Sequence, residues 1–313
     1  DRSSAASDVY KRQEEGMGDR RYYHLTARAK ELLFGDLCLV EQQAKRPNDL
    51  LDSATLAPRE LFYNPSVERQ VDRLGELLLP EHFTGIQQRL EAGGLRKGFA
   101  CLFYGAPGTG KTETVYQLAR RTGRNLMVVD VAQIKSCWVG ESEKNIRKAF
   151  ERYRAYVKEA ERAPILLFNE ADAVLGIRQE GASRAVEKME NSLQNIILQE
   201  MEQLDGIMIA TTNLTQNLDR AFERRFLYKI EFERPDAAVK SRIWRSMIPT
   251  LDERTAATLA ERYDFSGGQI ENIARKRTVE MILRGVEPTM EELDEFCRNE
   301  QLGNRAKRRR IGF

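Results

Sequence analysis

The sequence predicts an α/β protein, a parallel five-stranded sheet flanked by helices and followed by a smaller all-helical part. Three observations carry this. From Phe99 onward the strand-length apolar runs ACLFY, LMVVD, ILLFN, IMIAT and LYKIEF alternate with longer charged stretches, notably 141–161 and 185–204. Such alternation favours parallel strands joined by helices on both faces. The first run leads into GAPGTGKT, Gly105–Thr112, a glycine-rich loop that opens a helix. After Pro235 the strand-like runs stop, and 236–300 read as short helices.

Composition permits this architecture and narrows the chemistry. A chain of 313 residues with 41% hydrophobic and 31% charged content can build one large core or two smaller ones. Fifty Lys and Arg stand against 48 Asp and Glu, a net charge of +2, which gives no global argument for nucleic acid or an acidic partner. The apolar runs are only strand-length, so no membrane-spanning helix is expected. Cys38, Cys101, Cys137 and Cys297 form no metal-type pair, and His24 and His82 are the only histidines. Zinc is therefore not expected; free thiols in a reducing cytoplasm are the simplest reading.

Taken in order, Ser3–Gln13, SSAASDVYKRQ, matches the translation of a widely used transposase sequencing adapter. Residues 1–13 are therefore read as a disordered artefact. The reading frame is expected to begin at a fragment end, with part of an N-terminal region upstream. Residues 14–60 form a polar N-terminal fragment with one amphipathic stretch, TARAKELLFGDLCLVEQQ. SVERQVDRLGELL repeats apolar residues at helical spacing and should pack beside the main domain. The basic end, within 301–313, reads as a solvated tail, with a nucleic-acid contact as the alternative.

Four motifs carry chemistry. Gly105, Ala106, Pro107, Gly108, Thr109, Gly110, Lys111 and Thr112 fit G-x-x-x-x-G-K-[ST] between a strand and a helix. Glycines let backbone N–H groups face a phosphate, Lys111 adds a point charge, and Thr112 offers a hydroxyl to magnesium. In ILLFNEAD, Glu170 ends a strand expected to neighbour the strand that precedes the loop, where it can polarise a water, or else merely cap the next helix. Asn213, ending IMIATTN, could hold the same water or be a turn residue. Arg224 and Arg225 in LDRAFERRF are adjacent guanidiniums at a domain rim, or simply solvated surface.

Gly105–Thr112, Ile165–Asp172, Ile207–Asn213 and Leu218–Phe226 stand in the order and spacing of an AAA+ ATPase. Over about 61–300 the chain resembles that family, and within it the protein-remodelling branch that includes katanin and spastin. The resemblance implies a nucleotide-binding domain over 61–234 with sheet order 5-1-4-3-2 and a helical lid over 235–300. It implies ATP and Mg2+ as cofactors, with Glu113 completing the nucleotide-binding loop, and a hexameric ring with ATP between subunits. Arg224 and Arg225 would then reach a neighbour's γ-phosphate. Gly267 and Gly268, in FSGGQIENIARK, would let backbone approach the adenine and ribose. Trp138, Val139 and Gly140 stand where the branch carries an aromatic loop in the ring's pore, which would grip a peptide; otherwise Trp138 anchors the next helix.

At 169 the family carries aspartate, in contact with magnesium's water ligands. Asparagine keeps the shape and loses a charge worth roughly 1–4 kcal/mol at about 4 Å. Lys111, Glu170, Asn213 and both arginines are present, so the expectation is a working ATPase with a weakened or shifted metal preference. The leading reading is a motor that remodels, unfolds or disassembles a protein partner. The alternatives are a nucleotide-dependent regulatory scaffold with little turnover and a nucleic-acid-acting ATPase.

Overall fold

The computed structural model describes residues 49–131, 141–176, 184–215 and 218–301, and of 141, 173 and 184–190 the backbone alone. The chain divides into two compact units, 1–49 and 50–313. Of the first, only Asp49 is described, so the adapter-like segment, the helical stretch at 26–43 and most of the 14–60 fragment lie outside the described residues. So do Trp138, Val139 and Gly140, and the tail beyond Gln301.

Five parallel strands form the sheet: β2 (Phe99–Gly105), β3 (Leu126–Asp130), β4 (Ile165–Asn169), β5 (Ile207–Thr212) and β6 (Tyr228–Phe232). They run in space as β6-β2-β5-β4-β3, which is the expected order 5-1-4-3-2; β5 therefore stands between β2 and β4, so the strand leading to Glu170 is not the direct neighbour of the loop strand that was expected. A sixth strand, β1 (Leu50–Leu51), was not expected. It pairs antiparallel with β3 through Leu50↔Met127 and Leu51↔Leu126. Two residues are too short to show periodicity, yet they cover an edge that would otherwise expose unpaired backbone. This strand opens the second compact unit, Leu50–Phe313.

Strand alternation sorts the sheet into two buried faces. Ala100, Leu102, Met127, Val129, Leu166, Phe168, Met208 and Ala210 pack with α4 (Glu141–Glu159) and α6 (Arg184–Glu202). Phe99, Cys101, Phe103, Leu126, Ile165, Leu167, Ile207 and Ile209 pack against α1 (Pro65–Leu77), α2 (Pro80–Ala92) and α3 (Lys111–Thr122). Helix α1 is the SVERQVDRLGELL stretch, and it buries Val67, Val71 and Leu74.

After Pro235 come α8 (Ala237–Met247), α9 (Glu253–Arg262), α10 (Gly267–Arg284) and α11 (Met290–Glu300). Each has a side-chain N-cap, from Asp236, Asp252, Ser266 and Thr289 respectively. They share a core of their own around Trp244, Leu259, Phe265, Ile270 and Phe296. Two short helices, α5 (Asp172–Leu175) and α7 (Arg220–Glu223), follow β4 and β5. Among the described residues, no helix is long and apolar enough to cross a membrane.

Tyr153 ties α4 to the sheet. Its hydroxyl lies 2.9 Å from Pro164 O and 2.8 Å from Ile207 O, and accepts the Ile207 N–H at 2.6 Å. The approach requires Gly206, where a Cβ would stand 2.2 Å from the phenol oxygen. Tyr153→Phe strands that buried N–H, and the expected loss is about 1–3 kcal/mol in urea unfolding. An unchanged unfolding midpoint would show that the hydroxyl contributes nothing.

Candidate functional site

The parallel register brings the carboxyl ends of β2, β4 and β5 to one edge of the sheet, the usual ligand edge of such folds. Three turns meet there. At the end of β2, Gly105 has φ +136, and a Cβ on it would come 2.3 Å from Phe232 O of β6. Gly108 has φ +74, and a Cβ there would meet Ser266 Oγ at 2.6 Å. Both positions exclude other residues. Gly110 is the left-handed N-cap of α3, whose first-turn amides face the loop.

Lys111 is the first residue of that helix and is only 7% exposed. Its Nζ donates to Gly105 O at 2.9 Å, Ala106 O at 2.8 Å and Asn213 Oδ1 at 3.0 Å. Burial draws the amine down from 10.5 to about 8, and the Asp172 carboxylate works in the opposite direction. At neutral pH the ammonium form predominates, and its hydrogen-bond partners are neutral oxygens.

Thr112 Oγ1 donates to Asn169 Oδ1 at 2.8 Å, and Thr211 Oγ1 donates to the same oxygen at 3.0 Å. Glu170 follows in the left-handed region, φ +52, a conformation costing a non-glycine residue about 1 kcal/mol or more. Strand β5 holds it there: Glu170 N donates to Thr211 Oγ1 at 3.2 Å and Ala171 N to Thr211 O at 2.9 Å. Asp172 reaches the end of β5 in turn. Its Oδ1 accepts the Asn213 N–H at 2.8 Å and the Thr212 hydroxyl, and its Oδ2 accepts Asn213 Nδ2 at 3.3 Å.

Two adjoining cavities result. One, of about 290 Å³, is lined by Pro107–Glu113, Glu170 and Thr211–Asn213. The other, of about 460 Å³, lies between the glycine loop, the segment before α1 and the C-terminal helices; Phe62, Tyr63, Ile243, Met247, Gly267 and Gly268 line it. Gly268 N donates to Gly108 O at 2.9 Å, and a Cβ on Gly268 would come 3.2 Å from Gly108 Cα. The glycine pair thus meets the loop backbone directly. Tyr63 is fixed by a 2.8 Å hydrogen bond between its hydroxyl and Thr114 Oγ1.

The structure brings together the loop, Glu170, Asn169 and Asn213. Arg224 and Arg225 line neither cavity. Arg224 is exposed at the end of α7. Arg225 is 12% exposed, donates to Ala221 O at 2.7 Å and pairs with Glu202.

Asp172 is visible in sequence at the end of the same strand as Glu170, but nothing there gives it a role. Thr211 and Thr212 sit inside the motif that marks Asn213, so proximity in sequence was the available signal. Phe62 and Tyr63 had none, standing far along the chain from every motif.

The cradle fits a phosphate chain: tight glycine turns, a helix N-terminus, and a largely buried ammonium beside neutral oxygens. For magnesium it offers the neutral oxygens of Thr112 and Asn169, a set that suits an ion held chiefly by phosphates and waters.

Comparison with known proteins agrees with this geometry. Residues 101–234 match the family described as ATPase family associated with various cellular activities (AAA). The chain is 34% identical over 215 residues to Protein CdcH of Halobacterium salinarum, covering 65% of this chain and 27% of that protein. It is 30% identical over 221 residues to the uncharacterized AAA family ATPase y4kL of Sinorhizobium fredii, covering 69% and 63%. It is 31% identical over 224 residues to the meiotic spindle formation protein mei-1 of Caenorhabditis elegans, covering 66% and 43%. The chain thus spans less than two thirds of the length of the curated relatives it matches.

Proposed function

We propose, from the premise that residues 101–234 are an AAA ATPase domain, that this chain binds and hydrolyses ATP and uses the cycle to remodel a protein partner. The observation that supports it best is the convergence of Lys111, Glu170 and Asn213 on the 290 Å³ cleft. The phosphates would lie in that cleft, under the loop amides and Lys111. The base and ribose would lie in the apolar 460 Å³ cavity, against Gly267 and Gly268.

In this reading Glu170 takes a proton from the attacking water and Asn213 holds that water in line with the terminal phosphate. Magnesium, held through Thr112 and the water-mediated contact of Asn169, would neutralise charge on the phosphates. Arg224 and Arg225 would serve the ATP of a neighbouring subunit in a homo-oligomeric ring, taken as a hexamer. Trp138, Val139 and Gly140 would line its pore and grip a peptide through apolar area. Residues 61–234 would be the nucleotide-binding domain and 235–300 its lid. A reducing cytoplasm suits the buried free thiols Cys101 and Cys297.

The test is phosphate release by the chain with magnesium and ATP. Sustained turnover is expected. Saturable nucleotide binding with no release would replace the motor by the regulatory scaffold.

Asn169 gives a separate expectation. Its Oδ1 already accepts from Thr112 and Thr211, and Asn169→Asp keeps that acceptor while adding a charge. The magnesium concentration for half-maximal turnover should fall about fivefold or more, the screened end of the charge estimate. The maximal rate should move less, because Glu170 is untouched. A large rise in turnover at saturating magnesium would mean that Asn169 restrains Glu170 rather than weakening the ion.

A further inference from the structure

We propose that Asp172 is a positioning residue for Asn213: its carboxylate decides which way the Asn213 amide faces and so turns the amide oxygen toward Lys111 and the cleft. The inference rests on the ATPase reading, because only that reading gives Asn213 a role in turnover.

An asparagine amide has an oxygen and a nitrogen of nearly equal shape, and its neighbours decide which points where. Asn213 has one neighbour of each kind. Lys111 Nζ is a donor only and stands 3.0 Å from Oδ1; the Asp172 carboxylate is an acceptor only and stands 3.3 Å from Nδ2. Rotating the amide by half a turn would set –NH2 against ammonium and carbonyl oxygen against carboxylate. One orientation satisfies every group. Asp172 also receives the Asn213 backbone N–H at 2.8 Å and the Thr212 hydroxyl, so it grips both ends of this residue. The grip is needed because Asn213 is exposed beyond the end of β5, where packing does not hold its side chain.

Asp172 has a further connection. It is the first residue of α5, two positions after Glu170, whose own backbone N–H is held by Thr211. The carboxylate therefore ties the turn carrying Glu170 to the strand end carrying Asn213. Both groups proposed to handle water are held in one frame, and Asp172 closes it.

The test uses Asp172→Asn, Asn213→Asp and the double variant beside the native chain. Asp172→Asn preserves size but sets an –NH2 against the Asn213 –NH2. Asn213→Asp sets a carboxylate against Asp172. Together they restore a donor facing an acceptor, with the polarity exchanged. Asp172→Asn in the native background should lower kcat about tenfold, the equivalent of one hydrogen bond in the transition state. KM for ATP should change less than about threefold, since uniform binding is unaffected. In the Asn213→Asp background the same substitution should raise turnover, and it should raise the unfolding temperature. That reversal of sign is the signature a general loss of structure cannot produce.

Loss of activity by the same factor in both backgrounds, with additive unfolding temperatures, overturns the inference. Should the native chain show no turnover, the ATPase reading falls, and the unfolding temperatures still decide the pairing. Non-additive values keep it, and additive ones remove it.

Discussion

Glu170→Gln is expected to lower ATP turnover about a hundredfold or more, the size of effect a general base contributes. ATP binding should remain within about threefold of native, because a neutral isostere in the cleft leaves the loop cradle and Lys111 as they are. The expectation follows from where the backbone places this side chain. Glu170 is exposed to the cleft at φ +52, held by Thr211 through its own N–H and that of Ala171, although a left-handed glutamate is unfavourable. Glutamine accepts the same backbone without new strain, so the substitution removes the base and little else. Turnover by rapid-quench phosphate release and affinity by fluorescent-nucleotide titration separate the two effects. A Glu170→Gln chain that retains more than about a third of native turnover would leave the water to another group.

Arg224→Ala should cost about a thousandfold in turnover, the lower end for an arginine that stabilises a phosphoryl transition state, while the unfolding temperature stays put. The structure separates the two arginines of the motif. Arg224 is exposed, so it is free to reach a neighbour. Arg225 is clamped within its own subunit by Ala221 O and Glu202, and its Nε is buried without a partner among the described residues. Arg225→Ala should therefore also lower the unfolding temperature, because the clamp joins α7 to the end of α6. If the arginines act on a neighbour, mixing Arg224→Ala with Lys111→Ala chains should restore part of the turnover, each supplying the half-site the other lacks. Unchanged activity in Arg224→Ala would return it to the solvated surface.

Much of this site was legible in advance because its chemistry is local. Gly105–Thr112 needs glycine where φ is positive, a lysine at the helix start and a hydroxyl next to it, and those requirements fall within eight consecutive residues. The strands were legible for a similar reason: a parallel strand buried on both faces reads as a short, nearly continuous apolar run. β1 was not, since Leu50–Leu51 is too short to alternate and gains its identity only by pairing with β3. The two arginines read alike in sequence, and what distinguishes them is the clamp on Arg225 by Ala221 O and by Glu202, the latter more than twenty positions upstream.

By itself the sequence determined the glycine loop, the strand-and-helix alternation, Glu170 and Asn213 at strand ends, and the neutral residue at 169. Each follows from backbone sterics, periodicity or side-chain chemistry over a few residues. Tertiary structure alone decided which groups meet. Asp172 holds Asn213 across 41 positions, Asn64 donates to Arg234 O across 170, and Gly268 meets Gly108 from the far end of the domain. Such meetings depend on which strands pair and how the C-terminal helices sit against the loop. Those are set by the burial of apolar faces over the whole unit, and no local pattern encodes them.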